Sequence, residues 1–181
     1  DRLIGQDYDP FVIAEIGINH NGDFEKAKKM IQDAHASGAE CIKFQSHIVD
    51  DEMIRNDVVP GNTNEAIWDI VERCSFTEEQ EAELKKITEN LGMVYLSTPF
   101  SRAAADRLEK IGVCAYKIGS GECNNIPLLK HIASFGKPII LSTGMNNLTS
   151  ISESVSVLEN AKVEYALMHV TSIYPTPYEK V

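Results

Sequence analysis

Two lysines stand in segments otherwise suited to buried strands: Lys43 within Cys41-Ile42-Lys43-Phe44-Gln45, and Lys117 within Ala115-Tyr116-Lys117-Ile118. An ammonium among core residues needs an anion, either a neighbouring carboxylate or the phosphate or carboxylate of a ligand. Both segments run directly into polar residues, namely Gln45, Ser46 and His47 in the first and Gly119, Ser120, Gly121 and Glu122 in the second. Lysines followed by hydroxyl, amide and glycine residues at the ends of parallel strands compose an anion-binding floor. A plainer reading pairs Lys43 with Glu15 as a salt bridge inside the fold, and for Lys43 alone the two readings weigh equally. The second lysine tips the balance toward a ligand.

The elements that position these residues show in the hydrophobic pattern, whose period switches between two and 3.6. Strands are predicted at 11–19, 41–46, 94–100, 115–120, 138–144 and 165–172. A helix over about 24–37 has Asp23 as N-cap and Gly38 as its stop, and one beginning near Thr77 opens with a capping-box pattern ending in Gln80. Ser101 caps a third, and Asn125 followed by Pro127 starts a fourth, which Gly136 ends. Leu148, Ile151, Val155 and Leu158 form the apolar stripe of a fifth. Met30, Met93 and Met145 read as core residues.

Strand, loop and helix thus repeat five times before a sixth strand. Such a pattern leaves an open doubly wound sheet or a (β/α)8 TIM barrel. Polar candidates follow all six strands, whereas an open sheet gathers its site at one switch point, so the barrel is preferred. A closed barrel needs ~250 residues. The chain of 181 therefore reads as a single partial barrel domain, residues 1–181, truncated after about six strands. The irregular segment 47–76, with Pro60-Gly61-Asn62 and a short helix around 64–73, reads as a lid or interface element at the catalytic end.

Composition excludes several classes. With 43% hydrophobic residues the chain can bury a core, and 17 Lys and Arg against 27 Asp and Glu, without a basic stripe, argue against a nucleic-acid partner. No apolar run approaches the ~18 residues of a membrane span. Cys41, Cys74, Cys114 and Cys123 show no zinc or C-x-x-C spacing, and Asp1 to Asp9 lack the regions of a signal peptide, which together read as a cytoplasmic protein with reduced thiols. His20 and His169 sit in apolar surroundings and are read as hydrogen-bonded residues of the fold instead of metal ligands. Cys123, beside Glu122 but with no base at a suitable spacing, reads as a small wall residue.

Six motifs in order carry a specific resemblance: Ala14-Glu15-Ile16-Gly17-Ile18-Asn19-His20-Asn21-Gly22, Lys43-Phe44-Gln45, Ser97-Thr98-Pro99-Phe100, Tyr116-Lys117-Ile118-Gly119-Ser120-Gly121-Glu122, Leu141-Ser142-Thr143-Gly144-Met145 and Tyr174-Pro175-Thr176-Pro177-Tyr178. The chain resembles the N-acetylneuraminate (sialic acid) synthase family over essentially its whole length. That resemblance implies a barrel enzyme that condenses phosphoenolpyruvate with an open-chain N-acetylhexosamine, usually N-acetylmannosamine, and releases phosphate. It also implies a C-terminal antifreeze-like domain and a homodimer in the full-length protein. By the same resemblance Lys43, Lys117, Ser120 and Ser142 would hold the phosphate and carboxylate of phosphoenolpyruvate. Ser172, where close relatives have Asn, would share that role with a shorter side chain. Gln45, Thr98 and Tyr174 match positions that contact the sugar, and Glu15 and Glu122 match acidic groups near the reacting centre. The family's divalent metal, Mn or Mg, would be held by histidines of later strands past Val181, so no metal ligand is assigned within the chain. Legionaminic or pseudaminic acid synthesis is an alternative within the class. A Schiff-base pyruvate aldolase is a rival from outside it, although the sixth strand, Ala166-Leu167-Met168-His169-Val170, offers no lysine. A binding or assembly role for an inactive fragment is the non-enzymatic alternative.

Overall fold

The computed structural model describes residues 2–61 and 63–181, so Asn62 of the expected turn lies outside the described residues. Six strands stand where the pattern places them: β1 (Ile13–Gly17), β2 (Cys41–Ser46), β3 (Val94–Pro99), β4 (Tyr116–Ile118), β5 (Ile139–Ser142) and β6 (Tyr165–Met168). Most are shorter than predicted. The residues lost lie mainly at the ends, where the backbone leaves the ladder to form the loops that carry the polar candidates.

Every paired strand is parallel, and the order is β1-β2-β3 in one sheet and β4-β5-β6 in a second. β3 and β4 lie side by side without a ladder between them. Neighbours in sequence are neighbours in space throughout, so the strand order never reverses as it does in a doubly wound sheet. The architecture is α/β, with parallel strands in chain order.

Among the described residues seven α-helices connect and flank the strands: α1 (Phe24–Ala36), α2 (Val49–Glu52), α3 (Ile67–Cys74), α4 (Glu78–Asn90), α5 (Arg102–Lys110), α6 (Ile126–Ala133) and α7 (Leu148–Ala161). The expected caps form. Asp23 accepts from the Lys26 amide, and Thr77 and Gln80 close a reciprocal capping box at 3.0 and 3.3 Å. Ser101 and Asn125 accept from the amides of Ala104 and Leu128. Each such cap satisfies a donor that the helix itself cannot, worth about 1 kcal/mol.

Alternation along the strands sorts side chains between cleft and core. On β2, Ile42 and Phe44 join Tyr95, Leu84, Leu108 and Ile132 in the layer between strands and helices, whereas Lys43 and Gln45 face the other way. Ser46 returns to the helix side and donates to the Glu81 carboxylate on α4 at 2.8 and 3.0 Å. Arg107 of α5 donates to the same carboxylate at 3.3 Å and to the Phe76 carbonyl at 3.0 Å. A buried acid therefore ties α4 and α5 to the end of β2. Burial pushes the Glu81 carboxyl up to about 7, against the pull of Ser46 and Arg107.

Three expectations need correction. Leu148 is 82% exposed at the first turn of α7, while Ser154 is fully buried there, donating to the carbonyls of Cys123 and Ser150 at 2.5 and 2.9 Å. Met145 is 77% exposed, at φ 63°, beyond β5 where the loop turns along the cleft. The segment 47–76 holds a helix that the pattern did not show, the single turn α2. It packs through Val49 and Met53 on Trp68, Val71 and Ile67 of α3.

Candidate active site

One cleft of about 750 Å³ opens where the strands end, and it takes side chains from both sheets. Glu15, Lys43, Gln45 and Thr98 come from β1, β2 and β3. Lys117, Ser120, Ser142, Ser172 and Tyr174 come from β4, β5 and the segments that follow β4 and β6. Nine of the ten residues expected in the site thus share one cavity wall. Glu122 does not line it, and instead accepts from Asn125 Nδ2 at 2.6 Å at the start of α6.

A bulge in β1 sets the first cation. The register slips between Glu15 and Gly17 opposite Lys43 and Phe44, and Gly17 takes φ 54°, a conformation suited to glycine. A Cβ there would lie 3.2 Å from Glu15 Oε1. Glu15 forms an ion pair with Lys43, whose Nζ also donates to Thr98 Oγ1 at 3.3 Å. The plainer reading of Lys43 is therefore part of the structure: it has a carboxylate partner. That partner reaches out from a side chain 53% exposed, while the lysine side chain is 9% exposed, so the pair bridges the protein and the open cleft.

Lys117 differs. It is 5% exposed and donates to the Ile118 carbonyl at 2.6 Å and to Ser142 Oγ at 2.5 Å, and among the described residues no carboxylate lies within ion-pair distance of it. Burial first, and the neighbouring Lys43 charge second, pull its ammonium down to about 8, against a smaller opposing effect of Glu15. A buried cation with only neutral acceptors is costly unless an anion joins it.

Hydroxyls complete the floor. Ser120 Oγ accepts from the Gly144 amide at 3.1 Å, which leaves its proton free to donate. A Cβ on Gly144 would lie 2.5 Å from Ser172 Oγ and 2.9 Å from Ser120 Oγ, so glycine there lets the two hydroxyls approach each other. Asn146 fixes the turn by donating to the Ser120 and Gly144 carbonyls at 2.9 and 2.7 Å. Two cations and several hydroxyl donors facing one cavity can hold a small polyanion through charge-assisted bonds.

Several other candidates take the roles assigned to ordinary fold residues. His20 is buried, stacks on Phe76 with centroids 4.2 Å apart, and burial pulls its ring down to about 4. His169 departs from its expected role as a hydrogen-bonded residue of the fold, because it follows β6 onto an uncovered face and is exposed. Cys123 is fully buried beside Ser154, and all four cysteines are free thiols. Among the described residues no three His, Cys, Asp or Glu side chains are grouped to hold a metal ion. No helix is long and apolar enough to cross a membrane among the described residues.

Residues 30–181 match the NeuB family model. The chain belongs to the NeuB family. Among family relatives it is 40% identical to the uncharacterized protein MJ1065 of Methanocaldococcus jannaschii, over 100% of this chain and 52% of that protein. It is 37% identical to N,N'-diacetyllegionaminic acid synthase of Campylobacter jejuni, over 94% of this chain and 54% of that enzyme. The crystal structure of N-acetylneuraminic acid (sialic acid) synthetase from Leptospira borgpetersenii serovar Hardjo-bovis in complex with citrate superposes with a TM-score of 0.87 at 30% identity, covering 99% of this chain and 62% of that one. The chain spans about half the length of the curated NeuB relatives it matches.

Sequence reasoning grouped His47 with the polar floor, whereas the structure places it behind the cleft wall, and it missed Glu52 altogether. His47 Nδ1 lies 2.6 Å from Glu52 Oε2, its Nε2 lies 3.0 Å from Gln45 Oε1, and its ring stacks on Phe100 with centroids 4.6 Å apart. The only signal was the spacing of two between Gln45 and His47. Glu52 sits on the helical turn that no pattern marked.

Proposed function

We propose that the protein condenses phosphoenolpyruvate with an open-chain N-acetylhexosamine, N-acetylmannosamine first among them, and with water, to give a nonulosonic acid and phosphate. The observation that carries this reading is Lys117, a buried ammonium on the cleft wall with no carboxylate partner among the described residues. Phosphoenolpyruvate supplies both a phosphate and a carboxylate, which suits Lys117 and Lys43 with Ser120, Ser142 and Ser172 as donors. Gln45, Thr98 and Tyr174 border the remaining volume, where a polar acceptor would lie above that floor. Glu15 is the carboxylate on the cleft wall, suited to stabilise positive charge developing at C2 of the enol and to take a proton from the attacking water. Glu122 lies in the 3₁₀ turn ahead of α6, off the cleft wall, and takes no step in this reading.

In this reading the methylene carbon of phosphoenolpyruvate bonds to the aldehyde carbon, water adds at C2, and the C2–O bond breaks to release phosphate. Residues 1–181 would form the first six units of a (β/α)8 barrel. The strand order supports this, as does the open face of β6, where Leu167 and Met168 are 45% and 39% exposed. The remaining units, an antifreeze-like domain, a homodimer, a divalent Mn or Mg ion with ligands beyond Val181 and a cytoplasmic setting belong to the same proposal. A diacetamido sugar is the second reading of the acceptor, favoured by the 37% identity to the legionaminic acid synthase. Phosphoenolpyruvate carrying oxygen-18 in its bridging position tests the route in the full-length protein. Label is expected in the released phosphate, and label in the sugar acid would overturn the C–O cleavage.

A further inference from the structure

His47 and Glu52 lie behind the cleft wall and belong to none of the groups assigned above. Their side chains are 4% and 12% exposed, so the acid and the imidazole meet largely out of water, where a hydrogen bond is stronger than in solvent. The chain of contacts has a direction. Glu52 holds Nδ1, Nε2 holds the Gln45 carbonyl oxygen, and Phe100 fixes the plane of the ring from the side. Gln45 and Phe100 both line the cleft, whereas His47 and Glu52 do not. With its oxygen engaged by the ring, the Gln45 amide turns its nitrogen toward Gly17 and the cavity, presenting donors to whatever occupies the sugar side. Unheld, an amide rotates and offers either a donor or an acceptor.

The far end of the relay is anchored as well. Glu52 is carried by α2, which is seated by the Val49, Trp68 and Val71 cluster and so depends on the packing of α2 against α3.

We infer that Glu52 and His47 are positioning residues that set acceptor recognition by fixing the orientation of the Gln45 amide, which makes the α2 turn and the α3 helix that seats it a specificity element. This rests on the proposed condensation, in which Gln45 faces the sugar. The distinction between ligands follows from the geometry, since phosphoenolpyruvate would occupy the lysine and serine side and would not sense the relay.

The test is steady-state kinetics on the full-length protein with N-acetylmannosamine and its diacetamido counterparts as acceptors. His47→Phe keeps the stacking and removes both hydrogen bonds, and Glu52→Gln keeps the shape and removes the charge. Each is expected to raise the acceptor KM about tenfold, equivalent to about 1.4 kcal/mol, while the KM for phosphoenolpyruvate changes less than twofold. Preference among the acceptors should narrow. In a Gln45→Ala background both substitutions should lose their effect, because they act through that amide. Equal rises in both KM values, an unchanged acceptor KM, or effects that persist in full without Gln45 would each overturn the inference. Absence of any condensation in the unsubstituted protein would instead defeat the proposed reaction itself.

Discussion

Lys43 and Lys117 look alike in sequence and differ in the fold. Lys43 is neutralised by Glu15 before any ligand arrives, whereas Lys117 waits with a hydroxyl and a carbonyl. An arriving anion favours the ammonium form of Lys117, which burial otherwise pulls down to about 8. Affinity for phosphoenolpyruvate is therefore expected to be level below pH 8 and to weaken above it, up to tenfold per pH unit, because the ligand must then bring a proton with it. Titration calorimetry between pH 7 and pH 9.5 reads this directly, and a level Kd across that range would remove Lys117 from the anion site. Glu15 separates by a different measurement. Glu15→Gln keeps the shape and loses the charge, so a catalytic carboxylate predicts normal folding with kcat reduced about 10²–10⁴-fold. A purely structural partner of Lys43 predicts mainly a loss of stability, on the order of 3–5 kcal/mol at most for a fully buried pair and less here because Glu15 is half exposed. Thermal melts and saturation kinetics on the same variant decide between the two.

At the scale of elements, the helices were legible where a cap or stripe declared them and obscure where tertiary contacts did the choosing. Asp23, Thr77, Ser101 and Asn125 each mark a real helix start, because a cap is a local hydrogen bond that sequence spacing encodes. α2 escaped notice since a four-residue helix has no period to detect, and it exists only because Val49 finds Trp68 and Val71 across the loop. Leu148 misled for a similar reason: apolar spacing suggested a buried stripe, but the first turn of α7 projects past the packed layer. Ser154 was invisible as a core residue because a hydroxyl is buried only when partners await it, here two carbonyls. The Glu81 anchor belongs to this scale. Its carboxyl rises from the ordinary value near 4.5 to about 7 on folding, so the folded state binds more protons than the unfolded one between those values, and the stability it contributes falls as pH rises from 4.5 to 7. Glu81→Gln should flatten that slope. The difference in melting temperature between wild type and variant, followed from pH 4.5 to pH 7.5, is expected to shift in favour of the variant as pH rises; a constant difference would show that Glu81 stays ionised throughout.

For the whole molecule, chain order alone was enough to foretell parallel strands, helical crossovers and the gathering of polar residues at one end, since those follow from hydrophobic period and from the chirality of crossovers. Which of those polar residues share a wall was less accessible. Glu122 adjoins Ser120 in sequence yet faces the α6 cap, because the short 3₁₀ turn Ser120–Glu122 rotates successive side chains apart. His47 and Glu52 needed coordinates, since a relay of three side chains leaves no composition signature.

The unlaced boundary between β3 and β4 has a mechanical meaning. Glu15 and Lys43 ride on one sheet, Lys117 and Ser142 on the other, and among the described residues packing joins the two across that line without a ladder. Ladder hydrogen bonds resist shear and separation, while packed side chains yield to small displacements. The spacing between the two ammonium groups is therefore the most compliant dimension of the cleft, and a dianion spanning it would act as a clasp, stiffening the molecule along the one line where its own backbone does not.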